Sequence, residues 1–292
     1  MISISANIIT RMLGLINAKK FVEKSFKNPA RTSKTIVPKH LLKTFNVTEF
    51  QVMGKSVITL IPKQNTGNKH VIYFHGGAYL LEGNALHWKL IQKIATKANC
   101  KISYFDYPLA PEYNYISTFE MVQQSYNKLR SHYSEDQFIL MGDSAGGGLA
   151  LAFSQKLANE NPTEIPPKNI LFSPWLDISM NNPKIKNLEH FDKLLPLFGL
   201  IEAGKKYAGN NNTENYLLSP INGKLEEIGD TIVFYGSHEL FYADCKKLEE
   251  ISKKSDVNFT FYEYAEMQHD WVLYPIPEAN QVINTTIEFI ND

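Results

Sequence analysis

A serine flanked by glycines stands between an apolar run and a run of small residues, and this feature constrains the fold more than any other. The segment is Gly142-Asp143-Ser144-Ala145-Gly146, preceded by the apolar residues 138–141. A tight turn here would hold its central residue in a sparsely populated conformation, and a side chain at 142 or 146 would collide with the neighbouring element. The sequence therefore predicts a buried strand, a sharp turn at Ser144 and a helix.

A second glycine loop lies upstream. His75-Gly76-Gly77-Ala78 directly follows Val71-Ile72-Tyr73-Phe74, a β-branched and aromatic run typical of a fully buried parallel strand. The two motifs together resemble the α/β-hydrolase fold, in which the serine is a nucleophile and the glycine loop gives backbone N–H groups to an oxyanion hole. We predict Gly76, Gly77 and Ala145 as the donors. The alternative is that Gly76-Gly77 only makes a turn after a strand.

Five segments resemble the hormone-sensitive-lipase-like carboxylesterases of the α/β-hydrolase superfamily. In chain order they are His75-Gly76-Gly77, Asp106-Tyr107-Pro108-Leu109-Ala110-Pro111-Glu112, Gly142-Asp143-Ser144-Ala145-Gly146-Gly147, Ser173-Pro174-Trp175-Leu176-Asp177 and Ser219-Pro220. Their order and spacing match that family from about residue 45 to the C-terminus. Two positions depart from it: Ala78 stands where the family often has glycine, and Pro108 where it often has arginine. The resemblance therefore does not say what anchors the loop at Pro108.

A serine nucleophile needs a base, and in this fold the chain order is serine, acid, histidine. Three of the eight histidines lie after Ser144, namely His190, His238 and His269. The segment 258–264 alternates like a terminal strand, so His269 falls on the loop after the last strand. We predict His269 as the base, and His238 as a loop residue packed beside the site.

The acid should follow the preceding strand, 231–235. Glu239 is the first carboxylate there, although the family more often has aspartate at this point. Asp244 is the alternative, but it would lie a turn into the following helix, where we expect a solvated surface group. We predict the triad Ser144, Glu239 and His269.

Apolar periodicity predicts the remaining elements. A hairpin of strands at about 47–53 and 56–62 begins the sheet. Strands near 101–106, 137–142, 168–173, 230–236 and 258–264 then alternate with helices near 117–133, 145–160, 240–254 and 278–291. This pattern favours a single α/β domain over 1–292, with a mainly parallel sheet and helices on both faces.

Two segments do not fit the sheet, about 1–45 and about 178–216. We predict that both form a helical cap over the carboxyl ends of the strands, where this fold binds its ligand. The apolar stretch 194–201 and the segment Tyr79-Leu80-Leu81 are candidate pocket walls. For the stretch 194–201, an ordinary cap helix packed on the body is an equal alternative.

Composition limits the partners. Thirty basic and thirty acidic residues give a formal net charge of zero, which argues against nucleic acid and predicts no attraction to an anionic lipid surface. Cys100 and Cys245 are too far apart in the chain for metal-ligand spacing and are expected to be reduced packing residues. No apolar run reaches membrane-spanning length, so we expect no stable membrane insertion. The N-terminal residues lack the pattern of a secretory signal, which predicts a cytoplasmic protein.

The function predicted from these features is a serine carboxylesterase acting on short-to-medium acyl esters through an acyl-enzyme on Ser144. No cofactor or metal is implied, because protein groups supply the nucleophile, base and oxyanion donors. The expected partner is a small-molecule ester, and a homodimer stays open. Two alternatives use the same scaffold: an amidase or peptidase with the same triad, and a small-molecule receptor that has lost part of it.

Overall fold

The fold was analysed in a computed structural model that describes residues 2–32, 34–64 and 67–292. Met1 and Ser33, which belong to the first predicted cap segment, lie outside the described residues. Asn65 and Thr66 lie outside them as well.

Eight strands of the described chain form one sheet in the spatial order β1-β2-β4-β3-β5-β6-β7-β8. Their bounds are β1 (Phe45–Val52), β2 (Lys55–Pro62), β3 (Lys69–Phe74), β4 (Lys101–Phe105), β5 (Gln137–Asp143), β6 (Lys168–Phe172), β7 (Asp230–Gly236) and β8 (Phe259–Tyr264). Strand β2 pairs antiparallel with β1 and β4, and the pairs from β4 through β3 to β8 are parallel. The predicted hairpin and the mainly parallel sheet are confirmed.

The helices fall on both faces of the sheet, as predicted. They are α1 (Ile4–Leu15), α2 (Ala18–Lys27), α3 (Ala85–Ala98), α4 (Tyr115–His132), α5 (Ala145–Glu160), α6 (Ile185–Leu188), α7 (Leu197–Ala208), α8 (Tyr242–Ser252) and α9 (Pro277–Asn291). Helices α3 and α9 contribute to one hydrophobic core, and α4, α5, α7 and α8 to the other. In β5, Phe138 and Leu140 belong to the core with α4, α5, α7 and α8, whereas Ile139 and Met141 belong to the core with α3 and α9. Successive strand residues point to opposite faces of the sheet, which explains this division.

Asparagine side chains set where two of the helices begin. The Asn84 Oδ1 accepts the N–H of Leu86 at 2.8 Å at the start of α3, and the Asn114 Oδ1 accepts the N–H of Ile116 at 3.1 Å at the start of α4. Each bond satisfies a helix N–H that has no partner inside the helix. These starts fix the loops that lead out of β3 and β4, on the edge of the sheet where Ser144 lies.

The two segments that did not fit the sheet carry α1 and α2, and α6 and α7. Helix α2 packs on α7, where the Phe26 ring comes close to Gly199. Side chains of the apolar stretch 194–201 differ in exposure: Leu195 and Leu200 are buried, whereas Phe198 is 63% exposed. Leu195 and Leu200 therefore belong to the core beneath α7.

Candidate active site

Ser144 stands at the predicted turn between β5 and α5, with φ 53° and ψ −121°. This conformation is costly for a residue with a side chain. The glycines on either side are required by contact: a Cβ at Gly142 would lie 2.2 Å from the Gly146 oxygen, and one at Gly146 would lie 2.0 Å from the Phe74 oxygen. The close approach of strand and helix thus aims the Ser144 side chain out of the end of the sheet.

The structure brings Ser144, His269 and Glu239 into one hydrogen-bonded row. The His269 Nε2 is 2.9 Å from the Ser144 Oγ, and its Nδ1 is 2.6 Å from the Glu239 Oε2. The Glu239 Oε1 accepts the Gly236 N–H at 2.8 Å. Glu239 follows β7 and His269 follows β8, the positions that the sequence predicted. All three side chains are buried, with Ser144 only 5% exposed.

Asp244 lies away from this row. It is buried in the first turn of α8, where its Oδ1 accepts the Asn182 Nδ2 at 2.8 Å. The expectation of a solvated surface group was wrong, because the mid-chain segment covers this turn. Burial raises the pKa of Asp244 to about 6.

The prediction of Gly76 as an oxyanion donor was wrong. The Gly76 N–H donates to the Asp143 Oδ2 at 3.0 Å, so it is not free to bind an oxyanion. Gly77 follows with φ 122°, and Ala78 with φ 55°. Within the described chain, the N–H groups of Gly77, Ala78 and Ala145 have no hydrogen-bond acceptor. The donors that this geometry leaves free are therefore Gly77, Ala78 and Ala145.

Asp143 holds the glycine loop beside the serine. Its carboxylate accepts hydrogen bonds from the Tyr73 hydroxyl and the Gly76 N–H, and its Oδ2 lies 3.2 Å from the His87 Nε2. Burial alone would raise the pKa of Asp143, but His87 and Tyr73 outweigh it and lower that pKa. The buried carboxylate is thus a charged anchor for the loop. The sequence analysis missed it, and the signal was an acidic residue inside the serine turn itself.

A second carboxylate flanks His269, and the sequence analysis missed this one too. The Asp270 Oδ2 lies 3.2 Å from the His269 Nε2, on the side that faces Ser144. Asp270 has φ 52°, and its Oδ1 is buried without a hydrogen-bond partner in the described structure. Burial disfavours the imidazolium, but Asp270 and Glu239 outweigh it and hold the pKa of His269 well above its usual value.

The segment 191–193 is hydrogen-bonded to the loops that carry Glu239 and His269. The Asp192 Oδ2 accepts the N–H of Leu240, the neighbour of Glu239, at 2.9 Å. Gln268, the neighbour of His269, accepts the Lys193 N–H at 2.6 Å and donates to the Phe191 oxygen at 3.2 Å. The segment 191–193 therefore fixes the loops of Glu239 and His269 relative to each other. His238 also packs here, stacked on the Phe191 ring with centroids 4.7 Å apart, and the His190 ring lies tilted against the same Phe191 ring at 3.7 Å.

A stack of aromatic rings connects α7 to His269. Tyr207 lies on Tyr79 with ring centroids 3.7 Å apart, and Tyr79 lies 5.8 Å from Trp175. Phe241 continues the stack and meets the His269 ring edge-on at 4.9 Å. Tyr79, a candidate pocket wall, is thus fully buried between α7 and the loop of Trp175.

The loop that lacks an arginine at 108 is anchored from elsewhere. Arg31, in the segment after α2, donates to the Leu80 oxygen and the Ala110 oxygen, each at 2.6 Å, and to the Glu112 carboxylate at 2.8 Å. The guanidinium therefore ties the oxyanion loop to the loop that carries Pro108.

A second row of serine, histidine and aspartate lies at the other end of the sheet. The His70 Nε2 is 2.7 Å from the Ser103 Oγ, and its Nδ1 is 3.0 Å from the Asp136 Oδ2. Ser103 sits inside β4 between two paired strands, and Lys101 binds Asp136 at 2.7 Å. Burial lowers the pKa of His70. This row has no sharp turn at its serine and is closed to solvent, so it is a packing contact.

A mainly parallel eight-stranded sheet, a serine at a strained strand-to-helix turn and a histidine after the last strand define an α/β hydrolase. The chain belongs to this family: the family model for the alpha/beta hydrolase fold matches residues 71–273. The resemblance predicted from the motifs is confirmed.

Relatives and solved structures agree with this placement. The chain is 29% identical over 234 residues to an esterase of Acinetobacter venetianus, covering 78% of this chain and 77% of the relative. It is 27% identical over 223 residues to an acetyl-hydrolase of Streptomyces hygroscopicus, covering 75% and 74%. The structure of a hormone-sensitive lipase from a metagenome library shares the fold, with a TM-score of 0.84 and 23% identity over 98% of this chain and 97% of that one.

Proposed function

We propose that the protein is a serine carboxylesterase with Ser144 as nucleophile, His269 as base and Glu239 as the orienting acid. The observation that carries this proposal is the hydrogen-bonded row with His269 Nε2 2.9 Å from the Ser144 Oγ and Nδ1 2.6 Å from Glu239. The esterase and acetyl-hydrolase names of the relatives support ester hydrolysis.

The geometry accommodates a two-step acyl transfer. His269 keeps its Nδ1 proton and donates it in a hydrogen bond to Glu239, so that Nε2 can accept the Ser144 proton as the Oγ attacks the ester carbonyl carbon. The developing oxyanion accepts hydrogen bonds from the free N–H groups of Gly77, Ala78 and Ala145. His269 then gives its proton to the leaving alcohol oxygen, which frees the alcohol and leaves the acyl group on Ser144.

Water completes the cycle. It attacks the acyl carbonyl while His269 takes a proton from it, and the same proton returns to the Ser144 Oγ as the carboxylic acid leaves. Every proton in the cycle moves between His269 and one of Ser144, the leaving alcohol or water.

We propose short-to-medium acyl esters as substrates. The stack of Tyr207, Tyr79 and Trp175 fills the space between α7 and the body, which supports a limited acyl site. Turnover should therefore fall as the acyl group of a p-nitrophenyl ester lengthens. Faster turnover on emulsified long-chain esters than on soluble short ones would contradict this substrate class. We place the protein in the cytoplasm, supported by its two buried free thiols, Cys100 and Cys245.

Labelling with a fluorophosphonate probe tests the mechanism. Ser144→Ala should abolish labelling and lower turnover by about a million-fold, the scale of losing a serine nucleophile elsewhere. Ser103→Ala is the matched control, because Ser103 also contacts a histidine that contacts an aspartate. Labelling of folded Ser103→Ala should match that of the native chain. Near-full turnover in Ser144→Ala would refute the mechanism, and an unlabelled native chain would favour the receptor alternative.

A further inference from the structure

Helix α1 exposes a row of apolar side chains. Ile4 is 83% exposed, Ile8 52%, Met12 55% and Leu15 86%. Residues spaced by three or four positions share one face of a helix, so these four form a single stripe along α1. Isolated exposed apolar residues are ordinary, but a contiguous row marks a surface that contacts something apolar.

The helix that carries this stripe is held firmly on the body. The Ser3 N–H and hydroxyl donate to the Glu278 carboxylate at 2.6 Å and 2.9 Å, at the start of α9. Ala6, on the opposite face of α1, is buried in the core that α9 lines. The stripe is therefore the outer face of a docked helix.

The N-terminal segment that carries the stripe is rich in basic residues. Residues 1–45 hold nine of the thirty basic residues of the chain and one of its thirty acidic residues. On α2, beside α1, Lys20 and Lys24 are exposed, and Phe21 next to them is 64% exposed. The net charge of zero is thus a sum of two unlike regions, of which the first is strongly positive.

We propose that α1 and α2 form a docking surface for an anionic lipid bilayer. The apolar stripe would enter the boundary between headgroups and acyl chains, and the lysines would lie among the lipid phosphates. Within the described residues, no helix is long and apolar enough to cross a bilayer, so this contact is peripheral. The whole-chain charge predicted no attraction to such a surface, whereas the distribution of that charge favours it.

Charge also argues against a second copy of the chain as the occupant. A twofold dimer through this face would place the same surface on both subunits, and hence bring two strongly basic regions together. An anionic bilayer has the opposite charge and offers an apolar layer of the depth that a single helix stripe reaches.

The docking surface adjoins the catalytic loops. The Lys19 Nζ donates to the Glu189 oxygen at 2.6 Å, and Gly14 packs beside Lys193. Lys193 in turn donates its N–H to Gln268, the neighbour of His269. A bilayer on α1 and α2 would therefore lie on the side of the molecule where the segment 191–193 holds the base. The proposal does not depend on the proposed chemistry, because its test measures binding.

Co-sedimentation of the full chain with vesicles tests the proposal. We expect binding to vesicles of phosphatidylcholine and phosphatidylglycerol in equal parts, and at least about tenfold weaker binding to pure phosphatidylcholine or at high salt. Lys20→Glu with Lys24→Glu should weaken binding at least about 25-fold, since each basic residue contributes roughly fivefold. Ile8→Ser with Leu15→Ser should weaken it at least about tenfold.

Matched controls lie elsewhere on the surface. Ile116 is 54% exposed and Met53 43% exposed, and Ile116→Ser with Met53→Ser should bind like the native chain. Lys89→Glu with Lys254→Glu removes two exposed lysines outside the basic region and should bind within about threefold of it. Absence of binding to the anionic vesicles, equal binding to both lipids, or equal losses in test and control pairs would overturn the proposal. So would a dimer in analytical ultracentrifugation that only Ile8→Ser with Leu15→Ser dissociates, since the stripe would then be an interface between copies.

Discussion

Replacing Glu239 by glutamine should remove most of the activity while leaving the shape of the site almost unchanged. The two Glu239 oxygens have different partners: Oε1 accepts the Gly236 N–H at 2.8 Å, and Oε2 faces the His269 Nδ1 at 2.6 Å. A glutamine has one oxygen and one NH₂ group to offer these two positions.

Each orientation of the glutamine has a defined cost. If its oxygen stays on the Gly236 N–H, the NH₂ faces Nδ1, and His269 must carry its proton on Nε2, where it cannot accept the proton of Ser144. If the oxygen faces Nδ1 instead, the NH₂ meets the Gly236 N–H and a buried donor loses its partner, which costs about 1–3 kcal/mol. That cost makes the competent tautomer the minor one, by about 5-fold to 150-fold.

Loss of the Glu239 negative charge lowers the activity further. A neutral amide no longer stabilises the imidazolium that forms in the transition state, and the combined effect of such a change in another serine hydrolase is about 10⁴-fold. We therefore expect kcat/KM of Glu239→Gln on a short p-nitrophenyl ester to fall by about 10⁴-fold, with a melting temperature close to that of the native chain.

Two further variants make the measurement decisive. Glu239→Asp keeps the charge and should retain more activity than Glu239→Gln. Asp244→Asn can still accept the Asn182 hydrogen bond and should turn over within about threefold of the native chain, since a preserved bond leaves little to lose. A loss below tenfold in Glu239→Gln, or a collapse of Asp244→Asn with Glu239→Gln fully active, would refute the assignment of the acid.

Three more outcomes are expected. Gly77→Ala should lower turnover per titrated site by about 100-fold to 1000-fold, as loss of one oxyanion donor does elsewhere. It should also lower the melting temperature, because the new Cβ would lie 2.6 Å from the Leu81 oxygen. Normal turnover in an unstable variant would show that Gly77 is not an oxyanion donor. Asp270→Asn removes the carboxylate that contributes most to raising the pKa of His269, so the imidazole should stay neutral to lower pH. The acid limb of the kcat/KM profile should therefore move to lower pH. An unmoved limb would contradict the effect of Asp270 on His269. Asp192→Ala leaves the buried Leu240 N–H unpaired, so urea unfolding should show a loss of at least about 1–3 kcal/mol, together with lower kcat; unchanged kcat would mean that the segment 191–193 does not position the acid.

The sequence predicted the elements and the members of the hydrogen-bonded row, Ser144, Glu239 and His269, because their positions depend on local patterns. The glycines at 142 and 146 require a close approach of strand and helix, and His269 follows an alternating strand. Each of these inferences used a few neighbouring residues and the known order of the fold.

The donors of the oxyanion loop could not be settled in the same way. Whether the Gly76 N–H is free depends on where the Asp143 carboxylate points, and that depends on Tyr73 and on His87, which reach it from other elements. The burial of Asp244 likewise depends on Asn182, more than sixty residues away in the chain. Contacts of this kind are set by tertiary packing and leave no periodic trace in the sequence.

The row formed by Ser103, His70 and Asp136 has a consequence for how active sites are recognised from coordinates. A search for a serine, a histidine and a carboxylate at hydrogen-bond distances would return two matches among the residues that the structure describes, and the contact of His70 with its serine is the shorter of the two. What separates them is the main chain: Ser144 is held at φ 53° with unpaired amides around it, whereas the backbone of Ser103 is engaged on both sides by neighbouring strands. Templates for serine hydrolases would discriminate better if they matched the backbone torsion of the serine and the nearby free N–H groups before any side-chain distance.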